Sequence, residues 1–176
     1  MFEPVRIGLI GYGFGGRYFH APLIASAPEC MLVAVLTTSP ERGPLVMADH
    51  PTSEVCASID DLVGMGVEAV AISTPAHTHT ELTEASLRRG LGVVCDKPFA
   101  LDARSAAGTV ALAEKLKLVL SPYQNRRWDS DFLTVQALVQ ARVSGSSHPP
   151  GFPLSSATLD ASHARPAASP LSLRNL

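Results

Sequence analysis

Apolar positions change period several times along the chain, and each change marks an element. Val5, Ile7 and Leu9 alternate with Arg6 and Gly8, which predicts a strand over 5–10. MLVAVL over 31–36 is an unbroken apolar run of strand length, and EAVAIS over 68–73 and GVVC over 92–95 read the same way. Shorter strands are predicted over 54–56 and 118–120. Between these runs the sequence predicts helices over 15–27, 41–49, 59–65, 78–89, 103–117 and 130–141. Val110, Leu112 and Leu116 recur at helical spacing in the fifth of them. Local signals agree. Ser58 with Asp61 three residues on is a capping pattern, and Asp102 and Asp129 stand where helices begin. Gly90 after Arg88-Arg89 suits a helix end. Pro22 counts against regularity inside 15–27.

Strand and helix alternate, so the expected fold is α/β, a parallel sheet wrapped by helices on both faces. The first strand runs into Gly11-Tyr12-Gly13-Phe14-Gly15-Gly16 and then into a helical segment. Strand, glycine turn and helix together make G-x-G-x-x-G a dinucleotide-binding signal, which sharpens the fold to a doubly wound Rossmann-type domain over 1–140. Gly11 would allow the tight turn, Gly13 the approach of backbone to a pyrophosphate, and Gly16 close packing of helix on strand. The other reading is an ordinary glycine-rich turn. The apolar period stops near Ala141. The last 36 residues hold eight Ser, five Pro and one acidic residue, Asp160, a composition that buries too little surface to offset its ordering entropy. Residues 141–176 are therefore expected to be a disordered tail.

Composition removes several classes of function. A net charge of −2 gives no electrostatic reason for nucleic-acid binding. No apolar run reaches the ~18 residues that span a bilayer, and MFEPVRIG lacks the basic and apolar regions of a signal peptide. Cys30, Cys56 and Cys95 are widely spaced and form no metal-ligand pattern, so they are expected to be free thiols in a reducing cytoplasm.

Three further stretches carry candidate chemistry. An acidic residue at the end of the second strand would hold the ribose 2′-hydroxyl of NAD. Here that place holds Thr37, Thr38 and Ser39, with Arg42 close behind. Hydroxyls and a guanidinium suit a 2′-phosphate, which favours NADP over NAD; the alternative is that Arg42 is a solvated surface residue. Thr74-Pro75-Ala76-His77-Thr78-His79 follows the 68–73 strand, on the carboxyl edge where open α/β sheets bind ligands. His77 and His79 could mimic a metal pair, but no third ligand is near in sequence, and helix capping or cofactor contact is the commoner use. Asp96-Lys97-Pro98 ends the next strand on the same edge. A lysine beside a nicotinamide can shuttle a substrate hydroxyl proton as hydride leaves the carbon, and a neighbouring carboxylate can fix its position. A strand-end lysine can equally be a surface salt-bridge partner.

Gly11–Gly16 with His20-Ala21-Pro22, the Thr74-Pro75…His79 turn and Asp96-Lys97-Pro98 together resemble the Gfo/Idh/MocA oxidoreductases. Most members carry Glu-Lys-Pro where this chain has Asp-Lys-Pro. The stretch from Tyr123 to Thr134, with Asn125-Arg126-Arg127-Trp128-Asp129 and Asp131-Phe132-Leu133-Thr134, resembles the subgroup that contains NADP-dependent scyllo-inositol dehydrogenase. The resemblance covers about 5–139. It implies a dehydrogenase of a secondary alcohol on a cyclic polyol or sugar. Gly11, Gly13, Phe14 and Gly16 would form the pyrophosphate turn, and Thr37, Ser39 and Arg42 would meet the adenosine ribose phosphate. Thr74, Pro75, His77 and His79 would lie along the cofactor. Lys97 would be the catalytic lysine with Asp96 beside the nicotinamide ribose, Asn125 and Arg126 would line the substrate side with Lys97, and Asn125 would also touch the cofactor. A cis bond before Pro98 is also common in the family.

Relatives continue into an α/β substrate domain with a large open sheet, through which they largely associate. Nothing after Ala141 resembles it; His148 and His163 lie in Pro/Ser/Ala-rich text. A frame change is one expectation for that break, and the oligomeric state stays open. Two readings follow from the sequence: an NADP-dependent dehydrogenase of a small polyol or sugar, or a remnant that binds NAD(P) without catalysis.

Overall fold

The computed structural model describes residues 3–140. The expected tail over 141–176 lies outside the described residues. The chain divides into two units, one up to Gln124 and one from Asn125 onward.

The first unit is built on a six-stranded sheet, β1 (Val5–Ile10), β2 (Cys30–Leu36), β3 (Glu54–Cys56), β4 (Ala69–Ile72), β5 (Gly92–Cys95) and β6 (Leu120–Pro122). Every pairing is parallel, in the order β3-β2-β1-β4-β5-β6. Order reverses between β1 and β4, so the loops after these strands flank the crevice of a doubly wound sheet. Connecting segments are α1 (Ala21–Ser26), α2 (Arg42–Asp49), α3 (Ile59–Gly64), α4 (His79–Leu87) and α5 (Ala103–Leu116).

The sheet is covered on both faces, and the strands alternate between two cores. Ile10, Val70, Ile72, Val93 and Cys95 join α4 and α5 residues Leu87 and Ala113. Leu9, Val35 and Ala71 join Ala21 and Val46 of α1 and α2. One irregularity interrupts the period. Ile7 pairs with Leu32 but Gly8 pairs with Ala34, so β2 carries a bulge at Val33. The extra residue puts Leu32 and Val35, three apart, in the same core.

Boundaries differ from the sequence expectation where tertiary structure decides them. The helix expected over 15–27 is a π-helical turn, Gly16–His20, followed by α1. Pro22 thereby falls in the first turn of α1, where a missing N–H is harmless. The sixth strand is displaced from the expected 118–120 to Leu120–Pro122, with Lys117 in the left-handed conformation closing α5. Pro122 is tolerated because β6 is an edge strand. Capping follows the sequence. Ser58 and Asp61 form a reciprocal capping box on α3, and Asp102 accepts from the Ser105 N–H at 2.9 Å to start α5.

In the second unit a 3-10 turn, Asn125–Trp128, leads into α6 (Ser130–Gln140). Arg126 pairs with Asp129 at 2.8 Å, and the Asp129 carbonyl accepts from the Leu133 N–H at 3.0 Å. No described helix is long and apolar enough to cross a membrane.

A candidate dinucleotide site at the carboxyl edge of the sheet

The loop after β1 is the centre of the site, and sterics explain its glycines. Gly11 has φ +97°, and a Cβ there would strike the Ser73 carbonyl oxygen and lie 2.8 Å from Thr74 Cγ2. A Cβ on Gly16 would strike the Gly11 carbonyl oxygen. Gly13 is different: a Cβ there would meet no protein atom closer than Arg42 Nη1 at 3.9 Å. The loop is thus packed against the turn after β4 at Gly11, against its own backbone at Gly16, and is open in the middle, with a guanidinium beside the opening. That is the cradle a pyrophosphate requires, and the residues fit a dinucleotide.

The Thr37–Arg42 segment sits at the end of β2. The Thr37 hydroxyl accepts from the Ser39 N–H at 3.3 Å, and the Ser39 carbonyl accepts from the Arg42 N–H at 3.2 Å. Arg42 is exposed, and among the described residues its side chain makes no ion pair. It begins α2, and the far end of α2 is tied to the helical turn after the glycines. Asp49 accepts from Arg17 Nε at 2.6 Å and Nη2 at 3.2 Å, and from the Tyr12 hydroxyl at 3.0 Å. Arg17 holds the Asp49 carboxyl below the usual carboxylate range. Burial, then the hydrogen bond to Asp49, pushes the Tyr12 phenol up to about 12. Sequence reasoning missed this network, whose members lie 32 and 37 residues apart with no local signal.

On the other side of the loop stands Asp96. Its backbone N–H continues the sheet to Ile72 O at 2.9 Å. Its Oδ2 accepts from the Ser73 hydroxyl at 3.1 Å and lies 3.4 Å from His20 Nε2, while Oδ1 accepts from the Lys97 N–H at 3.0 Å. A Cβ on Gly15 would fall 2.5 Å from Ser73 Oγ and 3.3 Å from Asp96 Oδ2, so the loop rests directly on this pair. His20 is buried, its ring 4.7 Å from that of Tyr123. Ser73 and His20 were not among the sequence candidates for the site. His20 has the sequence signal of standing four residues after the third motif glycine; Ser73 has none. Lys97 is exposed and, among the described residues, makes no ion pair, so the surface salt-bridge reading is not what the structure shows. The Lys97–Pro98 bond is cis.

The Thr74-Pro75 turn follows β4. The Thr78 hydroxyl donates to the Pro75 carbonyl at 2.8 Å, so the Thr74 hydroxyl donates to Thr78 Oγ1 at 2.7 Å. Pro75 and His77 are exposed. His79 is 1% exposed, with both ring nitrogens 2.8 Å from backbone carbonyls, which leaves the ring no atom for a ligand. Phe14 is 73% exposed and shares an aromatic cluster with Tyr18 and Phe19, at 5.3 and 5.6 Å between centroids. The structure therefore brings Gly11, Gly13, Phe14, Gly16, Arg42, Thr74, Asp96 and Lys97 to one edge of one sheet. Asn125 and Arg126 belong to the second unit.

Comparison with known proteins agrees with this geometry. Residues 5–124 match the model of the oxidoreductase family with an NAD-binding Rossmann fold, GFO_IDH_MocA. The chain is 44% identical to the oxidoreductase YdgJ of Escherichia coli K12 over 146 residues, 82% of this chain and 41% of that protein. It is 33% identical to the scyllo-inositol 2-dehydrogenase (NADP(+)) IolW of Bacillus subtilis, covering 78% of this chain and 38% of that protein. An NAD-binding protein of Listeria innocua superposes with a TM-score of 0.74 at 26% identity, over 80% of this chain and 41% of that one. The chain spans about two fifths of the length of these curated relatives. With its parallel sheet, its glycine loop and its match over 5–124, the chain belongs to the Gfo/Idh/MocA oxidoreductase family.

Proposed function

We propose that this chain binds NADP and serves the oxidation of a secondary alcohol on a cyclic polyol or sugar. The observation that carries the reading is the arrangement around the glycine loop. Arg42 Nη1 lies 3.9 Å from where a Cβ on Gly13 would stand, and Oδ2 of Asp96, followed by Lys97, lies 3.3 Å from where a Cβ on Gly15 would stand. A cation for a 2′-phosphate and a lysine for proton transfer thus stand on opposite sides of one pyrophosphate cradle. The name of the Bacillus subtilis relative, an NADP(+)-dependent inositol dehydrogenase, supports the same substrate class.

NADP, when bound, supplies the nicotinamide carbon that accepts hydride. The residues of this chain do the rest. The open face at Gly13 admits the pyrophosphate to loop N–H groups. Arg42, with Thr37 and Ser39 behind it, holds the 2′-phosphate as a charge-assisted fork. Asp96 is oriented by Ser73 and by the Lys97 N–H, and sets the backbone from which the Lys97 side chain projects. With its amine unprotonated, Lys97 would accept the hydrogen bond of the substrate hydroxyl and take its proton, becoming the ammonium, as the C–H bond breaks and hydride leaves the carbon. His77 and Pro75 flank the cofactor edge.

Fluorescence titration of the 176-residue chain with NADPH and NADH tests the cofactor part, and tighter NADH binding would overturn it. Spectrophotometric NADP reduction with a panel of inositols and aldoses tests the chemistry. Turnover that falls about 10²–10⁴-fold in Lys97→Met, at nearly unchanged NADPH affinity, is the expected result. NADPH binding with no turnover on any alcohol would leave a cofactor-binding domain and no more.

A further inference from the structure

His79 is the first residue of α4 and is almost fully enclosed, yet it is placed between two turns rather than in a core. Its Nε2 lies 2.8 Å from the carbonyl oxygen of Thr74, and its Nδ1 lies 2.8 Å from the carbonyl oxygen of Pro98. Both partners are carbonyl oxygens, which can only accept. A neutral imidazole carries one N–H and one lone pair, so in either tautomer one nitrogen would turn a lone pair toward an acceptor at hydrogen-bond distance. Only a ring with a proton on each nitrogen makes both bonds.

We propose that His79 is a positioning residue, a doubly protonated clamp whose two N–H groups hold the Thr74 and Pro98 carbonyls and so fix the turns that carry Thr74-Pro75 and Asp96-Lys97. The two turns leave adjacent strands, β4 and β5, and beyond the last sheet bond at Asp96 N–H they have no ladder to keep their spacing. The clamp supplies that bond. An amide side chain cannot replace it, because Asn or Gln would present an oxygen to one of the two carbonyls. Ionisable groups stand on the surrounding elements: Glu81 and Glu84 on α4, Arg104, Glu114 and Lys115 on the adjacent α5, Cys95 on β5, Asp96 and Lys97 on the turn that carries Pro98, and His77 on the preceding turn; β4 carries none. Among the described residues, the hydrogen-bond partners of the ring are the two carbonyls. A buried imidazolium between two carbonyls has its charge satisfied by two charge-assisted bonds rather than by a carboxylate.

What Lys97 does for a substrate rests on the function proposed above; the clamp does not, so its test reads ring protons and not turnover. The 176-residue chain, labelled with ¹⁵N and ¹³C, is assigned through its backbone, and the His79 ring is linked to its own Cβ, which needs no variant. Long-range ¹H–¹⁵N spectra near neutral pH are expected to show both ring nitrogens of His79 protonated, with slowly exchanging N–H protons. Scalar couplings across the hydrogen bonds are expected to the carbonyl carbons of both Thr74 and Pro98. A ring with one protonated and one bare nitrogen, or a coupling to one carbonyl alone, overturns the proposal. In His79→Gln, amide protection is expected to fall together at Thr78 and at Lys97, one in each of the two clamped turns; loss at one turn with the other unchanged also overturns it. Should that variant fail to fold, the wild-type couplings decide. Loss of NADP-linked turnover with both couplings present would count against the proposed function and leave the clamp standing.

Discussion

Replacing Arg42 with Gln should separate the two cofactors. The side chain is exposed and makes no ion pair among the described residues, and the Arg42 N–H bond to Ser39 O at 3.2 Å is made by backbone, so the fold should be indifferent to the change. Gln also keeps helix propensity at the start of α2. What is lost is the guanidinium beside the open face of Gly13. A hydrogen bond to a charged group is worth about 1.5–3 kcal/mol, which corresponds to about 10- to 150-fold in affinity at 1.4 kcal/mol per decade. Exposure to solvent and salt places the expectation at the lower end, about 10-fold weaker NADPH binding. NADH lacks the 2′-phosphate, so R42Q should lose markedly less affinity for NADH than for NADPH. Fluorescence titration of both reduced cofactors against both proteins is the assay. Raising salt toward ~1 M, where the screening length is about 3 Å, should shrink the gap between wild type and R42Q for NADPH alone. Equal losses for NADPH and NADH, or no loss for either, would show that Arg42 does not read the phosphate.

Two further perturbations probe what holds the loop. The folded Asp49 carboxyl is held below its ordinary value by Arg17, so its stabilisation is present above that value, near pH 4, and is lost as pH falls through the lowered one. In urea unfolding, Asp49→Asn should therefore lie below wild type at neutral pH, with the gap closing in acid below about pH 4; a gap of constant size would contradict the pairing. Gly15→Ala places a Cβ 2.5 Å from Ser73 Oγ, an overpacking expected to cost about 1–3 kcal/mol. Ser73→Ala in the same chain removes the obstructing hydroxyl and should recover much of that loss in a double-mutant cycle, whereas simple additivity would refute the contact.

Much of this architecture is legible in the sequence because it is local. The apolar runs give β2, β4 and β5 within a residue, and Ser58–Asp61 and Asp102 give helix starts whose hydrogen bonds the structure contains. The misplacements are equally physical. Sheet pairing with Val93, Val94 and Cys95 draws β6 to Leu120–Pro122, a choice that the periodicity of residues 118–122 does not contain. The bulge at Val33 is set by packing on two faces and leaves no mark in an unbroken apolar run. The site divides the same way. G-x-G-x-x-G and Asp96-Lys97-Pro98 are contiguous and can be read directly. The pairing of Arg17 with Asp49, the support of Asp96 by Ser73 and His20, and the enclosure of His79 join residues distant in sequence, and only the fold brings them together. For His79 the sequence supplied the edge of the sheet, and the structure supplied what the ring touches there.

Gly15 lies against the Ser73–Asp96 pair, although it fills none of the three fingerprint positions. Gly11 is explained by its contact with Ser73 and Thr74 after β4, Gly16 by its contact with the loop's own backbone, and Gly13 by the space it leaves. Gly15 is explained by Ser73 and Asp96, the residues that orient the Lys97 backbone. The loop therefore does more than receive a pyrophosphate. Its Gly13 position faces Arg42 and its Gly15 position faces Asp96, so the place that would choose between cofactors and the place that would handle the substrate proton are referenced to the same few backbone atoms. Asp49, gripping both Tyr12 inside the loop and Arg17 beyond it, ties that backbone to α2 and hence to Arg42. The two ends of the site are thus placed against one turn, and the contact of Gly15 with Ser73 and Asp96 gives a physical reason for a glycine at a position that the dinucleotide fingerprint leaves free.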